Sequence, residues 1–120
     1  MNYSLFHNHN HRIIVCLPGD RLLSSEQDAL ELVAACGEAL TNRLLLSAGC
    51  LSPDFYDLRS GLAGAVLLKF SNYRIRAAAV FPGEVAQAGR FGEFVRESNC
   101  GSQFRIYPTR EEAEAWLVST

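Results

Sequence analysis

The sequence predicts an α/β fold: a single mixed, mostly parallel sheet of about five strands with four helices, in the order β-β-α-β-α-β-α-β-α. Two observations carry this. Short apolar runs of strand length (RIIVCL, NRLLLS, RIRAAAVF, QFRIYP) alternate with longer stretches of helical spacing. The polar HNHNH segment lies between two β-prone runs, which adds one antiparallel hairpin at the N-terminal edge. A length of 120 residues makes this one domain, 1–120, because two halves would each be too small to bury an adequate core.

Taken in order, YSLF and RIIVCL are the hairpin strands, and PGD ends the second. SSEQDALELVAACG is a helix capped by Ser24 or Ser25, with Ala29, Leu32, Val33 and Cys36 on one stripe and Gly37 at its stop. NRLLLS is a strand buried on both faces. GLAGAVLLKFSNY is a helix apolar almost all round, which predicts burial on more than one side, and its outer face is a candidate homodimer surface. RIRAAAVF is the third core strand. FPGEVAQAGRFG then leads into a helix presenting Phe91, Phe94, Val95 and Ser98 and ending at 99–101. QFRIYP alternates as a strand, and TREEAEAWL is a helix with a Thr109–Glu112 capping box and Ala113, Trp116 and Leu117 facing inward.

Composition narrows the function. With 48% hydrophobic and 20% charged residues and a formal net charge of −2, the chain gives no reason to expect nucleic acid or an anionic membrane as partner. MNYSLFHNHNHR has no charged start followed by an apolar run, and GLAGAVLL is too short to cross a bilayer, so the expected compartment is the cytoplasm. Cys16, Cys36, Cys50 and Cys100 show no zinc spacing and read as small apolar side chains, Cys50 and Cys100 lying nearest to loops. His7, His9 and His11 would share a face only in a continuous strand, which makes them a weak alternative metal set. No cofactor is expected. An arginine opens each core strand (Arg12, Arg43, Arg74, Arg105), so parallel strands would gather them at the amino ends. They read as solubilising rim residues, the alternative being an anion or partner site.

The opposite, carboxyl edge is where open α/β sheets bind ligands, and LSPDFYDLRSGLAG follows a strand and so belongs there. It holds two helix starts close together, Ser52-Pro53-Asp54 and Ser60-Gly61. Both are ordinary capping chemistry. Ser60 nonetheless stands near a helix N-terminus, which favours an anion, whether bound or attached to the serine, with Arg59 beside it and Gly61 and Gly64 allowing close approach. The candidate partner- or ligand-binding residues are Asp54, Phe55, Tyr56, Asp57, Arg59, Ser60 and Gly61, with the two aromatics as interface anchors or as core. The chain has no G-x-S-x-G elbow, Walker loop or G-x-G-x-x-G fingerprint, which points to binding rather than catalysis.

The element order, with RSGLAG leading into a helix and RIYPTREEAEAWL closing the chain, resembles a STAS domain, the fold of anti-sigma-factor antagonists. In those proteins an Asp-Ser-Ser-Gly-Leu stretch occupies this place, and a partner kinase phosphorylates the serine before the glycine, which matches Ser60. The family aspartate two residues before that serine is Leu58 here, and Asp57 is one position further back. NRLLL, LSPDFYDLRSGLAG, KFSNYRIR and FVRESN together resemble a bacterial domain-of-unknown-function family, 4180, over nearly the whole chain. That resemblance implies no activity. The expectation is a cytoplasmic, non-catalytic regulatory domain that recognises a protein partner through residues 51–61. The alternative is a small-molecule or anion carrier with a pocket between 51–61 and 81–92, lined in part by Phe81 and Phe91.

Overall fold

The fold is taken from a computed structural model, which describes residues 1–19, 21–81 and 89–119. Strands β1 (Tyr3–Asn8) and β2 (His11–Cys16) form the hairpin. Then follow helix α1 (Glu26–Glu38), β3 (Arg43–Leu46), helix α2 (Leu62–Asn72), β4 (Arg76–Val80), helix α3 (Gly89–Asn99), β5 (Phe104–Tyr107) and helix α4 (Arg110–Leu117). This is the mixed α/β architecture that the alternating periodicity predicts.

The strands lie in chain order, β1-β2-β3-β4-β5, with β1 antiparallel and the rest parallel. Since each parallel step moves one strand in the same direction, right-handed crossovers put the connecting helices on one face. Ile14, Cys16, Leu44, Leu46, Ala77, Ala79, Phe104 and Ile106 point to that face and pack with α1, α2 and α3. Ile13, Val15, Leu45, Ala78 and Val80 point to the other and pack with α4, through Ala113, Trp116 and Leu117. The strand order never reverses, so among the described residues the sheet forms no switch-point crevice of the doubly wound kind at its carboxyl edge.

Several local expectations change. The hairpin strands extend into HNHNH, leaving His9 (φ 49°) and Asn10 (φ 69°) as a two-residue turn, the positive-φ pair that matches strand twist. His7 pairs with Arg12 and Asn8 with His11, so His7 and His11 occupy opposite faces and the three histidines do not converge. Among the described residues no group of three His, Cys, Asp or Glu side chains is placed to hold a metal. Helix α1 is capped by Ser25, whose hydroxyl accepts from the Asp28 amide at 3.1 Å. It runs through Gly37, and the left-handed residue past its end is Leu40 (φ 57°). Helix α2 buries only Ala63, Val66 and Phe70, and Leu68 stays 57% exposed. Its apolar composition therefore exceeds what the fold covers. Arg74 sits in a left-handed turn (φ 58°) outside the sheet, and Arg76 opens β4 instead. No helix among the described residues is long and apolar enough to cross a membrane.

Candidate functional site

The carboxyl edge is built by two stitches between loops. Beyond β3, the Ser47 amide donates to the Cys16 carbonyl at 3.1 Å and its hydroxyl to the same oxygen. Leu23 and Leu51 then form a parallel bridge, with Leu23 N–H to Cys50 O at 2.9 Å and Ser52 N–H to Leu23 O at 3.1 Å. Residues 51–61 are thereby anchored at the start of their path over the sheet edge.

Local hydrogen bonding explains the shape they adopt there. Ser52, itself buried, accepts from the Asp54 amide at 3.1 Å, and Pro53 occupies the first position of a 3₁₀ turn, Pro53–Phe55. Asp57 accepts from the Arg59 amide at 3.0 Å and caps a second 3₁₀ turn, Leu58–Ser60. The Ser60 hydroxyl donates to the Asp54 carbonyl at 2.6 Å, tying the two turns together, and accepts from the Leu62 amide at 3.2 Å. Gly61 (φ 78°) carries the chain from the second turn into α2. The closely spaced helix starts are therefore two stacked turns followed by a core helix. Ser60 serves α2 one position before its cap residue, which is Gly61.

This geometry divides the seven candidate residues. Phe55 is wholly buried, against Tyr56 (6.4 Å between ring centroids, interplanar angle 78°) and Phe81 (6.2 Å). Tyr56 is half-buried and packs on Phe81 at 5.2 Å and on Phe91 at 5.5 Å. These rings form part of the hydrophobic core, so neither is presented as a free interface anchor. Asp54, Asp57, Arg59, Ser60 and Gly61 are exposed and make up the outer face. Arg59 lies 3.6 Å from Asp57 with 88% of its side chain exposed, a surface pair worth little by itself. A Cβ at Gly61 or Gly64 would meet nothing within 4 Å, so neither glycine accommodates a close approach by this chain. Most of the segment expected to complete a pocket, 82–88, lies outside the described residues, while Phe81 and Phe91 pack on each other at 5.5 Å.

The chemistry of this edge is quiet. The Ser60 hydroxyl donates to a backbone carbonyl, and among the described residues no base accepts its proton. Cys50 is buried, and its hydrogen bond to Cys16 together with desolvation holds it well above the usual thiol range. Burial, with the Cys50 charge second, also raises the Tyr56 phenol. Both groups stay protonated at neutral pH. Away from the edge, burial pushes Cys36 up to about 12, and Cys100 is exposed.

One cluster escaped the sequence reading, and a second, expected as Arg12, Arg43, Arg74 and Arg105 at the amino ends, has a different membership. Arg21 bridges Asp28 (2.7 Å) and Glu31 (2.8 Å) before and along α1. Arg43, Arg76 and Arg105 meet Trp116 and the end of α4 on the other sheet face. A strand period of two puts Arg74 and Arg76 on the same face, and Arg76 is the one that joins the cluster because Arg74 lies before β4 in a left-handed turn.

No curated protein and no solved structure matches the chain. A family model described as Domain of unknown function (DUF4180) matches residues 8–117, nearly the full length, and the chain belongs to that family.

Proposed function

We propose that this chain is a non-catalytic, cytoplasmic regulatory domain that recognises a protein partner through the polar outer face of residues 51–61. The observation that carries the reading is the division of that loop. Its aromatic rings pack inward, while Asp54, Asp57, Arg59 and Ser60 stand outward on two turns tied to each other and to the sheet edge. A surface held in one conformation loses little entropy on binding, which favours recognition. The STAS-like resemblance at RSGLAG supports Ser60 as a phosphorylation site. A phosphate there adds about −1.5 to −2 charge beside Asp54 and Asp57 and removes the hydroxyl bond to the Asp54 carbonyl. Both effects would change the face that the partner meets.

The test is a photo-crosslinking residue placed at position 59 of the full chain in its source cells, with phosphosite mapping of the same material. The expected result is one discrete adduct, reduced about tenfold by Asp54→Arg at unchanged thermal stability. A crosslinking residue at exposed Leu40 is the control. An adduct pattern identical at 59 and 40 overturns the reading.

A further inference from the structure

We infer that Arg43, Arg76 and Arg105, grouped around Trp116 at the amino rim of the sheet, form a binding site for a phosphate group. This rim is at the opposite end of the parallel strands from residues 51–61, so the inference stands independently of the partner reading.

The arginines are brought together by register. Arg43 of β3 is the direct neighbour of Arg76 of β4, and Arg105 of β5 is opposite Ala78, one pleat repeat further on. All three therefore project from the α4 face. Helix α4 has no basic residue in its own last turn, and the strands supply the cations instead. Arg43 Nε donates to the Leu117 carbonyl at 2.8 Å, and Arg76 Nη2 donates to the Trp116 carbonyl at 2.6 Å and lies 3.2 Å from the Ser119 hydroxyl. Arg105 Nε donates to the Gly101 carbonyl at 2.8 Å. The Arg76 guanidinium is 4.0 Å from the Trp116 ring centroid and that of Arg105 is 5.3 Å away.

These contacts fix the guanidinium groups without neutralising them. Every acceptor is a carbonyl or a hydroxyl, and among the described residues no ion pair involves any of the three. The helix end supplies only about half a negative charge. Like charges placed side by side on a sheet repel. Consistent with this, desolvation first, and then Arg43 and Arg105, lower the affinity of Arg76 for its proton. Donors remain free for a ligand: among the described residues, Arg43 Nη1 and Nη2 and Arg105 Nη2 have no partner, and Arg76 Nε is buried without one. Guanidinium forks match phosphate oxygens in a bidentate way, and a dianion answers three grouped charges better than one carboxylate does.

Trp116 is the sole tryptophan of the chain and touches the cluster, so its emission reports on the site directly. The experiment titrates the full chain with inorganic phosphate at pH 8 and constant ionic strength, with sodium acetate as the second arm. The expected result is a saturable change in emission with a Kd of ~1 mM or tighter. Arg105→Gln should weaken it about tenfold, and Arg105→Lys, which keeps the charge and loses the fork, should weaken it by less. Absence of saturation in the parent chain overturns the proposal, as does acetate binding at equal affinity.

Discussion

Replacing Phe55 by alanine separates a core role from an interface role. The ring is wholly buried and meets Tyr56 edge-on and Phe81 at a tilt, beneath the first 3₁₀ turn. Truncating such a ring costs about 3–5 kcal/mol, and loss of two aromatic contacts puts this site near 4 kcal/mol. Unfolding entropy of about 2.1 cal/mol/K per residue gives ~0.25 kcal/mol/K for a chain of 120 residues. The Tm should therefore fall by roughly 16 °C. Thermal melts followed by far-UV circular dichroism, with urea titrations for the free energy, read this directly. Phe55→Leu should recover more than half of the loss, since it leaves a smaller cavity. Asp54→Ala, on the exposed outer face, should stay within about 0.5 kcal/mol of the parent, or ~2 °C. A Phe55→Ala melt within about 3 °C of the parent would refute the reasoning and return the ring to the presented surface.

The remaining predictions concern α1 and the two glycines around the start of α2. Burial alone would raise the Asp28 carboxyl, but bonds from the Ser24 amide, the Arg21 guanidinium and the Ser24 hydroxyl outweigh it and hold the group below its usual 3.8. Its contribution to stability is present above about pH 4 and is lost as pH falls through the lower folded-state value. Asp28→Asn should cost about 1–2 kcal/mol at pH 7 and flatten the acid limb, read as urea midpoints between pH 7 and pH 2. Gly61→Ala should destabilise by about 1–2 kcal/mol, because φ is 78° and the cost is purely conformational, with nothing within 4 Å of the added methyl. Gly64→Ala, in helical backbone and equally unobstructed, should stabilise by roughly 0.5–1 kcal/mol. Chemical denaturation of the two variants side by side checks the opposite signs.

The sequence by itself determined the elements and their order, because periodicity, caps and turn residues act over a few positions. Ser25 and Thr109 cap the helices that they were expected to start, and the run RLLL is buried on both faces as a central parallel strand must be. Ser52-Pro53-Asp54 begins a short helical turn for the same local reason. Tertiary structure decided what pairwise spacing cannot carry. Whether Phe55 and Tyr56 face a partner or the core depends on Phe81, just past the end of β4, and Phe91 of α3. The extent to which α2 is covered depends on how many neighbours reach it, and Leu68 has too few to be buried. The arginine cluster needs parallel register between β3 and β4 and a last helix that crosses to the other face of the sheet. Hydrogen bonds between elements such as Arg43 to Leu117, 74 residues apart, set that arrangement. Local sequence chemistry specifies each segment, and only the packed sheet specifies which side chains meet.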